Sequence, residues 1–293
     1  MKKIAAAISC LLLGTVPLHA QTPATDVDPA LWVVKDADTT IYLFGTIHVL
    51  KPGLGWFDEG VKSAFDASSE LVIEMIEPEP AAMQQLVMSK AIDQSGKTLS
   101  AKLDEGLRAR YASALADAGL PAQALDPFEP WFATVTLSVL PLSKLGYDSA
   151  SGVEKVLAAA ARQAGKKIEG LETAEQQLGY FDALPEPLQL RYLEAVIDDL
   201  PEYQPKLEAT IASWAKGDPD ALAKEMNEGM EKTPELAAIL LEQRNARWAD
   251  WIKARLDAPG TVFLAVGAGH LAGEASVQEK LKALKVDSVR VNY

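Results

Sequence analysis

Two histidines occupy matching settings near opposite ends of the chain, in Gly45-Thr-Ile-His48 and Gly267-Ala-Gly-His270. Each segment follows an apolar run, Thr40 to Phe44 in the first and Thr261 to Val266 in the second. An imidazole at a strand end serves as a general base near neutral pH, or as a ligand for zinc, manganese or cobalt. A glycine three residues before it permits a tight turn or a close backbone approach to a ligand. The bland alternative is a pair of unrelated loop histidines. The third histidine, His19, falls in a segment with the marks of a leader, which leaves these two for the mature chain.

Two histidines make a poor metal site without a carboxylate. Glu74 is the candidate, because it interrupts the apolar run Leu71-Val-Ile-Glu-Met-Ile76. An ionised group there is costly to bury unless it is paired or ligating. Glu77, just past the run, is the second choice, and pairing of Glu74 with a structural cation is the alternative. Arg244 is a further anomaly. In Pro234 to Leu256 the residues Ala237, Leu241, Trp248 and Ile252 follow helical spacing, and Arg244 falls on their stripe. A guanidinium on the core side needs an anion, which is Glu74, another acid, or a substrate carbonyl or carboxylate. Asn245 is placed to turn inward beside it, and Arg247 to be solvated. Glu172, in Gly170-Leu-Glu-Thr173, either reaches the site or orients the helix that Thr173 caps, and the second reading is favoured. Asp148 reads the same way.

The elements that must position these groups lie mostly at the two ends. Leu31 to Lys35 and Thr40 to Phe44 form a hairpin across the turn residues Asp36-Ala-Asp-Thr39. Asp58 to Ala67 is a short helix, and Leu71 to Ile76 a third strand ended by Pro78 and Pro80. From about Ala81 to Leu256 the pattern is helical, apart from a short strand at Lys166 to Leu171. A strand at Thr261 to Val266, a helix at Ala275 to Leu284 and an alternating strand at Val286 to Val291 follow. The fold class expected is α/β (α+β): a small mixed sheet of N- and C-terminal strands with a large helical middle. Residues 21–293 form a single domain with a helical insertion at about 81–256. Terminal strands in one sheet would bring His48 and His270 together.

Residues 1–20 read as a cleavable signal peptide, with Lys2 and Lys3, an apolar run from Ile4 to Val16, and Ala20 before the cut. The expected location is periplasmic or secreted, with no stable membrane insertion after cleavage. A lipoprotein anchor at Cys10 has too short an apolar core before it. Loss of the leader removes the only cysteine, and with it disulfides, thiolate nucleophiles and Cys-type metal sites. It also takes the net charge from −13 to −15, which disfavours nucleic acid and anionic membrane as partners. There is no Gly-x-Gly-x-x-Gly, P-loop, Gly-x-Ser-x-Gly or His-Glu-x-x-His.

Together, Ile41 to His48, Leu71 to Glu74, Gly165 to Thr173, Arg244-Asn245 and Val262 to Gly273 resemble the TraB/GumN family. That family also includes PrgY and the animal TIKI proteins. The resemblance spans roughly residues 31–291. It implies strands bearing two Gly-x-x-His loops at one edge and a large helical portion. TIKI proteins are described as metal-dependent proteases, and by that analogy His48, Glu74 and His270 would bind a divalent metal (Mn, Co or Zn). Arg244 would steady substrate or oxyanion, with Gly45, Asn245, Gly267 and Gly269 as further substrate contacts. The related erythromycin esterases look like hydrolases using equivalent His and Glu residues. The leading expectation is an exported metal-dependent hydrolase acting on a peptide. The alternatives are a metal-free His/Glu hydrolase and a periplasmic protein that binds a peptide or small molecule without turnover.

Overall fold

Residues 25–230 and 233–293 are described by the computed structural model. The proposed leader and Cys10 lie outside the described residues. The apolar runs form β1 (Leu31–Lys35), β2 (Thr39–Thr46), β3 (Glu70–Met75), β4 (Lys167–Glu172), β5 (Gly260–Gly267) and β6 (Val289–Arg290). They make one sheet in the order β4-β3-β5-β2-β1-β6. The strands β4, β3, β5 and β2 run parallel. β1 turns back along β2 as a hairpin, where the Asp36 carboxylate accepts the backbone N–H groups of Asp38 and Thr39. The alternating C-terminal segment pairs only at Val289–Arg290, against Val33 and Trp32.

Parallel strands need cover on both faces, which explains the unbroken apolar character of β5. On one face Leu71, Ile73, Phe263 and Phe44 pack against α1 (Glu59–Ala67) and α2 (Val153–Gln163). On the other, Val72, Leu264, Val266 and Leu43 pack against α3 (Gln243–Arg255) and α4 (Val277–Ala283). The helical middle is therefore not one block, because α2, β4 and α3 belong to the sheet's own layers. A separate core forms around Tyr111, Leu115, Leu137 and Leu193 in the remaining helices. Among the described residues no helix is long and apolar enough to cross a membrane.

Register decides what the sheet presents. β2 and β5 are adjacent, with Gly45 opposite Val266 and Thr46 opposite Gly267. The two Gly-x-x-His segments thus leave the same edge at the same level, beside the end of β3 that carries Glu74. The helix expected over Pro234 to Leu256 is interrupted by a π-turn at Ala238–Glu242. Such turns insert one residue into the helical repeat and recur at functional sites. Here the turn lies immediately before Arg244 and shifts the buried stripe, which becomes Arg244, Asn245, Trp248, Ala249 and Ile252 without Leu241.

Candidate active site

The carboxyl ends of all four parallel strands meet at one place, where ligands bind in open α/β sheets. β2 leads to His48, β3 carries Glu74, β4 ends on Glu172 and β5 leads to His270. The cluster has two layers.

The outer layer faces a cavity of about 400 Å³ lined by His48, Glu74, Glu154 and Gln177 among others. His48 Nδ1 lies 2.7 Å from Glu154 Oε1, in the first turn of α2. The loop bearing His48 is pinned to that helix by the Val153 N–H, which donates to the Ile47 carbonyl at 3.0 Å. In the neutral ring the carboxylate holds the proton on Nδ1, and Nε2 then carries the lone pair. Among the described residues Nε2 has no hydrogen-bond partner, and it faces Gly267 and Glu74. A Cβ on Gly267 would stand 3.0 Å from Glu74 Oε1 and 3.9 Å from His48 Nε2. Glycine at 267 therefore keeps the space between His48 and Glu74 open. The hydrogen bond to Glu154 lifts His48 above its ordinary 6.5 to about 9, against an opposing loss of hydration where the loop packs on its neighbours. The side chain is 67% exposed, so water screens that lift.

The inner layer lies behind Glu74. Glu74 Oε1 accepts the Gly267 N–H at 2.6 Å, and Oε2 accepts Arg244 Nη2 at 2.7 Å and Gln177 Nε2 at 3.2 Å. Burial works to raise the Glu74 pKa. The charges of His270, Arg244 and His48, with the Gly267 N–H, outweigh it and bring it to about 2. Burial drives His270 the other way, down to about 3. A ring that is neutral at pH 7 contributes no positive charge, so Arg244, His48 and the amide hold Glu74 ionised there. His270 Nδ1 lies 2.5 Å from Asn245 Oδ1, and Nε2 lies 3.1 Å from Arg244 Nη1. The amide oxygen accepts the Nδ1 proton and the guanidinium donates to Nε2, so neither nitrogen is free. Asn245 is itself held by the Ala275 carbonyl at 2.8 Å.

Of the two readings of Glu172, the structure favours the one that reaches the cluster. This residue does more than precede a helix: its two oxygens receive Arg244 Nε and Nη2 at 2.8–3.1 Å, and Tyr180 donates to it at 3.0 Å. Thr173 does cap the next helix, in a full capping box with Gln176. With both carboxylates, His270 and the Leu240 carbonyl engaged, every Arg244 nitrogen is occupied. Neither Arg244 nor His270 lines the cavity. Arg244 is thus a positioning residue for Glu74, and Asn245 for His270. Gly45 packs closely against Ala268, a Cβ on Gly269 would meet the end of the Met226 side chain, and neither glycine lines the cavity. Asp148 caps the turn at Ser149–Ser151 and pairs its backbone with Leu50. Glu77 lines the cavity and faces Lys155 at 3.4 Å. Arg247 is half exposed and donates to the Tyr180 hydroxyl at 2.9 Å.

The expected metal set of His48, Glu74 and His270 can be tested on its donor atoms. A ligating imidazole must offer a free lone pair, and a ligating carboxylate a free oxygen. The Arg244 guanidinium, already a cation, occupies His270 Nε2 and Glu74 Oε2. Among the described residues no group of three or more His, Cys, Asp or Glu side chains is arranged to hold a metal ion. As arranged, these residues do not fit a divalent ion.

The fold and cluster define an α/β protein whose paired histidine loops and carboxylates meet at the carboxyl edge of parallel strands. The chain belongs to the TraB/PrgY/gumN family, whose sequence profile matches residues 30–287. An uncharacterized protein of Treponema pallidum is 25% identical over 266 residues, covering 84% of this chain and 78% of that protein. The uncharacterized protein YbaP of Escherichia coli is 28% identical over 155 residues, covering 52% of this chain and 56% of YbaP. YbaP of Shigella flexneri matches over the same share. No solved structure matches the chain.

Proposed function

We propose that this protein is a hydrolase of acyl substrates, peptides foremost, in which His48 activates the attacking water. One observation carries the reading: an imidazole with a carboxylate behind Nδ1, and no hydrogen-bond partner on Nε2 among the described residues, faces a cavity beside an ionised carboxylate. Glu154 fixes the tautomer, as the third group does in nucleophile–base–carboxylate arrangements. His48 acts from its deprotonated form, which its raised pKa of about 9 makes the minor form at neutral pH, and Glu74, held ionised by Arg244, stabilises the imidazolium that forms when the ring takes a proton from water. The proton is then available to the leaving amine or alcohol. His270 supports Glu74 and Arg244 from behind and takes no part in proton transfer. Export through the leader at residues 1–20 belongs to the same reading. It is checked by N-terminal sequencing of protein recovered from the periplasm.

The test is a panel of peptides and activated esters, assayed with and without a chelator. Turnover is expected to survive the chelator and to fall by about 10²–10⁴ in His48→Ala, the span of general acid–base catalysis. Turnover that persists in His48→Ala contradicts the proposal.

A further inference from the structure

The cavity runs from His48 along one face of α2. Lys155, Ala158 and Arg162 line it at helical spacing, and Ile73 and Ile168 line the sheet side. Ile76, at the rim, is 44% exposed, which is unusual for a large apolar side chain.

The charges facing this cavity pair off, with one exception. Glu74 is engaged by Arg244 at 2.7 Å, Glu154 by His48 at 2.7 Å, and Glu77 by Lys155 at 3.4 Å. The Arg162 side chain has no hydrogen bond or ion pair among the described residues. It is an uncompensated guanidinium on a cavity wall in a chain of net charge −13. Guanidinium groups bind carboxylates through two parallel N–H bonds, with a directionality that lysine lacks. Apolar wall at one side and an unpaired guanidinium at the far end describe a site for an amphipathic ligand.

We propose that the cavity receives an acyl substrate whose apolar segment ends in a free carboxylate bound by Arg162. The proposal rests on the hydrolytic reading above only for which end of the ligand reacts. Helix geometry sets the length. Glu154 and Arg162 are eight residues apart on α2, about 12 Å along its axis at 1.5 Å per residue. An extended peptide covers that distance in roughly three residues at 3.3–3.6 Å each. The bond at His48 is then the one that releases a C-terminal tripeptide with apolar side chains. Arg162 acts in specificity, with no part in the chemical step.

The test uses calorimetry on the intact protein and on His48→Ala, with N-acetyl-trileucine as the free acid and as the carboxamide. The free acid is expected to bind about tenfold or more tighter than the amide, a difference of about 1.4 kcal/mol. Arg162→Ala should erase that preference, and Arg162→Lys should restore part of it. Thermal unfolding of the Arg162 variants should match the parent, because the side chain is exposed. Equal binding of acid and amide, no binding of either, or a preference that survives Arg162→Ala overturns the proposal. Arg162-dependent binding without turnover of any substrate would leave the subsite standing and remove the hydrolytic reading. Turnover with no carboxylate preference would do the reverse.

Discussion

The two Gly-x-x-His loops leave adjacent parallel strands at the same level, yet their histidines end in opposite environments. His48 lies at the surface of a cavity with a carboxylate on Nδ1, which raises its pKa. His270 is buried against Trp248, with an amide oxygen on one nitrogen and a guanidinium on the other, and its pKa falls. The same local motif therefore yields a titrating, accessible imidazole in one place and a neutral structural one in the other. What differs is the helix packed above each loop. α2 brings Glu154 to His48, whereas α3 brings Asn245 and Arg244 to His270. Motif repetition predicts position, and the neighbours decide chemistry.

The largest effect on the buried side of this comparison is expected from Arg244→Met. It leaves Glu74 and Glu172 facing each other with no cation between them. Removing one partner of a buried ion pair costs roughly 3–5 kcal/mol, because the other charge stays buried and uncompensated. Chemical denaturation measures it. The double variant with Glu172→Gln should recover part of the loss, since it removes one of the stranded charges.

Stability against pH separates the two histidines by sign. The folded pKa of His270, about 3, lies below the ordinary 6.5, so between these values the unfolded chain holds a proton the native ring lacks. Stability is lost as pH falls through that window. Glu74 adds a loss of the same sign between 4.5 and about 2. His48 acts oppositely: its contribution is complete below 6.5 and fades as pH rises toward about 9. Urea midpoints measured across pH should show His270→Asn flattening the acid limb and His48→Ala leaving it unchanged.

A smaller effect is expected from Glu154→Gln. An amide keeps the shape of the carboxylate and removes its charge, so His48 should titrate closer to 6.5. The pH–rate profile of hydrolysis should then rise at lower pH than in the parent, because the base is deprotonated earlier. A profile that does not move would assign the base elsewhere.

Much of this arrangement is legible in residue types. The apolar runs before His48 and His270 mark strands, and a lone glutamate in Leu71 to Ile76 marks a paired carboxylate. Arg244 on an apolar stripe marks a buried cation, although the π-turn before it moves the stripe's phase. Glu154 left no trace, because an acid in the first turn of a helix has an ordinary explanation in the helix dipole. Its partner lies 106 residues away, beyond any local pattern. Glu172 is visible as a residue that could reach the site, but Thr173 supplies a sufficient reason for its surroundings, which favours the helix-orienting reading. That Arg244 sits behind Glu74, facing away from the cavity, depends on the relative height of β3, β4 and α3. Helical periodicity carries no information about that height.

The most direct test of this division of labour is NMR titration of the two imidazole rings in protein lacking the leader, with His48→Ala assigning the signals. The account predicts that His48 titrates above 6.5 and that His270 shows no titration between pH 5 and 8, remaining neutral with its proton on Nδ1. A His270 ring that titrates in that range, or a His48 ring that stays neutral throughout it, would contradict the assignment of His48 as the base and His270 as its support.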